Sequence, residues 1–163
     1  MKRAACRHAR CLVLVTAASA VWLGGCRPTE RGAGEEAAPI VTPVRRYTVE
    51  WISAGIPDAM RPNSSLSVPV SFRNSGDRVL PVTFAVSYHW YRAGERKDPA
   101  VWEGLRTVIA RDVSPGEVYT GQMTLRAPAQ PGAYDLALDV VQEGVAWFSS
   151  RGVPMSFHPV RVE

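Results

Sequence analysis

The sequence predicts an all-β domain, an antiparallel β-sandwich of seven to eight strands over residues 44–163. Three observations carry that expectation. Apolar residues recur at every second position in several stretches, the period of a half-buried strand. Turn formers punctuate these stretches at regular intervals, as in Asn74-Ser75-Gly76-Asp77, Pro115-Gly116 and Pro131-Gly132. No window of twelve residues carries the apolar stripe of an amphipathic helix.

The strands follow in order. A first one is expected at 44–53. Leu66, Val68, Val70 and Phe72 then alternate with Ser67, Pro69, Ser71 and Arg73. Pro69 has no N–H to give a ladder, so one side of this strand should face an edge or a bulge. Val82, Phe84, Val86, Tyr88 and Trp90 alternate with Thr83, Ala85, Ser87, His89 and Tyr91, which puts His89 opposite the core set as a surface residue. Further strands are expected at 105–111, 118–126, 133–142, 145–149 and 155–162. Tyr134, just after Pro131-Gly132 and before Leu136 and Leu138, has the placing of a tyrosine corner, its phenol bonding back to the chain. Trp90 would be the central core aromatic, and Leu136 stands where antibody domains place their second Cys. The sandwich is therefore expected to be immunoglobulin-like, with packing in place of the disulfide.

The residues ahead of the domain read differently. Lys2, Arg3, Arg7 and Arg10 precede an uncharged, mostly apolar run from Cys11 to Leu23. These are the n-region and h-region of an export signal. The uncharged stretch ends at Cys26 and is shorter than the ~20 residues of a spanning helix. Leu23-Gly24-Gly25-Cys26 resembles the lipobox of bacterial lipoproteins: a thiol for thioether formation, with small residues next to the cut. The resemblance implies that residues 1–25 are a signal peptide and that Cys26 is lipidated. Acyl chains buried at about 0.8 kcal/mol per CH₂ would then anchor the protein to the membrane, and the outer one is favoured if the host has two, because Arg27 rather than Asp follows the Cys. The competing reading is cleavage after Ala18-Ser19-Ala20, which would expose Val21, Trp22 and Leu23 at a soluble N-terminus. Residues 26–43 hold the lipidated Cys and a tether without aromatics, expected to be disordered because it has too little apolar area to offset ordering entropy.

Charge and cysteine content exclude several classes. The whole chain carries a net +4, but 19 Lys+Arg less the four in the leader leave 15 against 15 Asp+Glu. Nucleic-acid binding driven by bulk charge is therefore not expected. Of three Cys, Cys6 and Cys11 leave with the leader and Cys26 is taken by lipid, so the domain has no disulfide, thiolate metal site or Cys nucleophile. No nucleophile elbow, HExxH or phosphate loop occurs, and no cofactor or metal is implied. Asp135 and Asp139 are four apart on one strand, about 13 Å, too far for the paired carboxylates of a glycosidase, and are expected to be solvated or paired with Arg.

The candidate site is a cluster of Trp102, Glu103, Arg106, Glu143, Trp147 and Phe148, with Trp102, Arg106, Glu143 and Trp147 at its centre. Aromatic faces beside Arg and carboxylate are what sugar or partner recognition uses. The alternative is that the tryptophans fill one end of the sandwich while Arg106 and Glu143 form a structural ion pair.

YHWY at 88–91, WEGLRT at 102–107, SPGE at 114–117 and PGAYDLALDVVQEGVAWF at 131–148 carry a family resemblance over about residues 64–162. The domain resembles the immunoglobulin-like accessory domain of some bacterial cell-surface glycosyltransferases and, more distantly, the carbohydrate-binding C-terminal domain of O-antigen ABC transporters. That resemblance implies a non-catalytic envelope module whose partner is a cell-surface glycan or an envelope protein. The alternative is a structural or assembly accessory of an envelope complex.

Overall fold

The computed structural model describes residues 46–163, so the leader, Cys26 and the tether lie outside the described residues. Ten strands form: β1 Val49–Ala54, β2 Ala59–Met60, β3 Ser65–Asn74, β4 Phe84–Arg92, β5 Pro99–Val101, β6 Thr107–Val108, β7 Val118–Arg126, β8 Gly132–Gln142, β9 Ala146–Trp147 and β10 Ser156–Val162. A single 3₁₀ turn, Ser149–Arg151, follows β9. One sheet runs β1-β3-β7, and the other runs β2-β10-β8-β4-β5, with β6 on β4 and β9 on β8. All pairings are antiparallel except β2 with β10. This is the antiparallel, immunoglobulin-like sandwich that the alternation predicts.

The two sheets enclose one core. Val68, Val70 and Phe72 of β3, with Tyr119, Met123 and Leu125 of β7, face Tyr88 and Trp90 of β4 and Leu136 and Leu138 of β8. Trp90 lies opposite Leu136 in the β4–β8 ladder and meets the Tyr134 ring edge-on at 5.8 Å. Its indole N–H donates to the Arg126 carbonyl at 3.0 Å, so the buried polar atom is satisfied. The Tyr134 hydroxyl donates to the Gln130 carbonyl at 2.8 Å, the corner expected from Pro131-Gly132-Ala133-Tyr134. Pro69 sits in the middle strand of its sheet, yet its missing N–H costs no ladder bond. β1 bulges between Trp51 and Ser53 and ends at Ala54, and only Gly55 N–H reaches the Pro69 carbonyl, at 2.9 Å.

Two strand expectations are corrected. Of the strand expected at 44–53, residues 46–48 are irregular and the strand begins at Val49, while 44 and 45 lie outside the described residues; the predicted strand 105–111 is not continuous. Residues 99–109 do run antiparallel along β4, but as two short pieces, β5 and β6, with a break between. At the break the only ladder-like bond is Gly104 N–H to the Tyr88 carbonyl at 3.1 Å. A side chain at 104 would collide with Tyr88, so the chain comes close there at the one residue without a Cβ and bends away on either side. That bend positions the candidate site.

Candidate functional site

The outer face of β4 and β8 forms the floor. Ala85, Ser87, His89 and Tyr91 alternate away from the core on β4, as do Asp135, Ala137, Asp139 and Val141 on β8. All eight are buried. His89, expected at the surface, is 0% exposed, and Asp139, expected to be solvated or paired with Arg, is 2% exposed and faces His89. The segments after β4 and β8 fold back over the sheet and make a thin third layer. Period-two alternation reports which face is less apolar, not what lies over it. The sign that was available is composition: these eight positions hold no Lys, Arg, Glu or Gln, the long side chains of a solvated face.

The break in the edge strand supplies the cover. Freed from the ladder, the Trp102 carbonyl accepts a hydrogen bond from His89 Nδ1, which fixes the proton on that nitrogen. The Trp102 ring lies flat on His89, centroids 4.0 Å apart at 15°. From the other side β9 brings Trp147 to 4.4 Å from His89 and 5.6 Å, edge-on, from Trp102. His89 Nε2 faces Asp139 Oδ2 at 3.4 Å, and Asp139 Oδ1 accepts the amides of Val140 at 2.7 Å and Ser149 at 3.2 Å. The carboxylate thereby ties β4, β8 and the 3₁₀ turn together beneath the two indoles.

Arg106 rims the platform. Its guanidinium lies 4.8 Å over the Trp147 ring, pairs with Glu143 at 2.9 Å and also pairs with Glu103. Partial burial pulls the Arg106 pKa down, but the hydrogen bonds and charges of Glu103 and Glu143 outweigh it and leave the group above its ordinary value. Tyr91, on the same face, is raised by burial and then by the Asp139 charge. Trp102, Arg106, Glu143, Trp147 and Glu103 are thus brought to one place. Phe148 is not: its ring points into the core, 5.7 Å and edge-on to Phe84. Asp135 and Asp139 do not work together, since Asp135 pairs with Arg96 at 3.1 Å and Asp139 turns to His89. Among the described residues no group of three or more His, Cys, Asp or Glu is arranged to hold a metal ion. No helix among them is long and apolar enough to cross a membrane.

Trp102 is 39% exposed and Trp147 half-buried, so they do not fill the end of the sandwich, while Arg106 does close onto Glu143. One face of the Trp102 ring is covered by His89, so its exposure falls on the other face and the edges. The arrangement offers a rigid apolar plane bordered by one guanidinium and two carboxylates, donors and acceptors together.

Fold and site define an immunoglobulin-like β-sandwich domain with an aromatic platform on its larger sheet. No protein-family model matches the chain, and no curated protein matches it. Solved structures similar to it include the CARDB domain of a Pyrococcus furiosus protein, 21% identical over 71% of this chain and 92% of that one, TM-score 0.41. The sporulation control protein Spo0M from Bacillus subtilis is 16% identical, over 74% of this chain and 50% of that one, TM-score 0.42. A β-glucosidase from Listeria innocua is 13% identical over 72% of this chain, which spans 16% of the enzyme, TM-score 0.40.

Proposed function

We propose that this chain is a lipid-anchored envelope protein, held through Cys26, whose sandwich domain binds a glycan on the Trp102–Trp147 platform without catalysing a reaction on it. One observation carries the proposal: Trp102 keeps more than a third of its surface exposed while its ring is pinned flat on a buried histidine. A ring held only for packing gains most by full burial, at about 25 cal/mol per Å². A rigid, exposed indole is instead suited to stacking on the apolar face of a sugar ring, with little entropy lost on binding. Arg106, Glu103 and Glu143 supply hydrogen bonds for hydroxyl groups at the rim. The likeness of WEGLRT and EGVAWF to the glycosyltransferase-linked accessory domains supports the same reading, since both motifs meet at this platform. A second reading, a docking surface for an envelope protein in an assembly role, is favoured by Val145, 58% exposed in the turn beside Trp147.

Retention on an array of bacterial surface polysaccharides tests the glycan reading. Trp102→Ala should abolish retention, and Arg106→Ala should weaken it by about tenfold or more through lost charged hydrogen bonds. Retention by Trp102→Ala equal to the wild type would show the platform to be packing. Protein that retains no glycan but crosslinks to an envelope protein through position 145 would decide for docking. Anchoring is tested separately, on protein extracted from membranes. The mature N-terminal residue should be Cys26 carrying a diacylglyceryl thioether, and a mature chain starting at Val21 would overturn it.

A further inference from the structure

We propose that the domain has a second binding site, for a phosphate ester, in the pocket walled by Arg46, Arg78 and Arg151. The pocket lies just ahead of β1, against the end of the 3₁₀ turn, and has a volume of about 520 Å³. Besides the three arginines it is lined by Tyr47, Thr48, Gly152 and Val153, and no lining residue is acidic. Elsewhere in the domain Arg73, Arg96, Arg106, Arg111 and Arg161 each meet a carboxylate; Arg61, Arg92 and Arg126 do not, but Arg92 and Arg126 line cavities that also hold Asp98 and Glu103. Arg46, Arg78 and Arg151 have no salt-bridge partner among the described residues. Composition does not account for this, because residues 46–163 hold equal numbers of Lys+Arg and Asp+Glu. Asp77, next to Arg78 in the chain, has one carboxylate oxygen engaged by the Arg46 backbone N–H at 2.7 Å.

The walls have some rigidity. The Arg78 guanidinium lies 5.1 Å over the Tyr47 ring, a cation–π contact that favours one placement. Arg151 ends the 3₁₀ turn, which Gly152 closes at φ 82°. Three like charges around one cavity repel each other, and an anion relieves that repulsion. A phosphate ester fits better than a carboxylate, because its several oxygens can be shared among three planar guanidinium forks. The volume leaves room for the glycerol or sugar that the phosphate esterifies. Such a group can come from a phospholipid headgroup or from a soluble or glycan-borne phosphate ester. The site rests only on described residues and is independent of both the platform and Cys26.

The full chain, purified in non-ionic detergent, is titrated with glycerol 3-phosphate by calorimetry and, in a second arm, with micelles containing phosphatidylglycerol or phosphatidylcholine. Saturable binding is expected in one arm or both. The combined Arg46→Gln, Arg78→Gln, Arg151→Gln variant should weaken it by about tenfold or more, whereas Arg161→Gln should leave it unchanged. All three positions are exposed, and an unchanged melting temperature verifies that the variant folds. Binding of glycerol 3-phosphate assigns a free phosphate ester, and binding of phosphatidylglycerol micelles alone assigns a lipid headgroup. No binding in either arm, or equal binding by the triple variant, overturns the site.

Discussion

Asp139→Ala should lower the stability of the domain by about 3–5 kcal/mol, the cost of leaving buried donors without the carboxylate that accepts from them. The carboxylate is almost wholly enclosed and takes two backbone amides while facing His89 Nε2. Alanine would leave both amides without an acceptor, each at a cost of about 1–3 kcal/mol if nothing relaxes, and would remove the group that packs against His89 Nε2. Asp139→Asn keeps one acceptor oxygen and the side-chain volume, and should recover part of the loss. The measurement is a urea unfolding series, in which the midpoint should fall while the slope stays constant. A midpoint within error of the wild type would mean that Asp139 is solvated, as its place on an outward-facing position first suggests.

Gly104→Ala should cost about 3 kcal/mol, the upper range for overpacking a close contact, and should dismantle the platform. A Cβ at this position would collide with the Tyr88 carbonyl oxygen and come within 2.8 Å of its ring. Neither the β4 backbone nor a core tyrosine can give way cheaply. The segment carrying Trp102, Glu103 and Arg106 must therefore lift off the sheet, separating the Trp102 ring from His89. Near-ultraviolet circular dichroism should lose the signal of the stacked indole, and polysaccharide retention should vanish with it. An alanine variant with wild-type dichroism would show that the edge can shift without disturbing the site. The two variants probe different things: Asp139 holds the floor of the site, and Gly104 sets the approach of its cover.

How much of this was legible beforehand depends on the range of the interaction involved. The long strands β3, β4, β7, β8 and β10 follow from alternation, because in each one face meets the core and the period of the pleat is local to the chain. The corner was readable because Pro131-Gly132 and Tyr134 act on a carbonyl only four residues upstream. The sequence by itself therefore determined the sandwich, its central Trp90 and the meeting of WEGLRT with EGVAWF as a candidate site. The short strands β2 and β5 were not readable, and β6 and β9 were readable only as longer strands at 105–111 and 145–149, since each short piece gains its ladder from another strand and carries little periodic pattern of its own. Phe148 could not be separated from Trp147 for the same reason: neighbouring residues on a strand end point to opposite sides, and only packing says which side is core.

Only the tertiary structure decided that the outer face of β4 and β8 is buried. That decision turns His89 from a surface residue into the support of two indoles, and Asp139 from a solvated carboxylate into a buried acceptor. Whether a polar strand residue faces water or an overlying segment depends on where the chain returns after the next turn. That return is set by contacts many residues away, from His89 to Trp102, from Asp139 to Ser149 and from Arg106 to Glu143. Period-two patterning responds to the polarity of a face, and a face covered by a thin polar and aromatic layer keeps enough Ser, His and Asp to resemble a wet one.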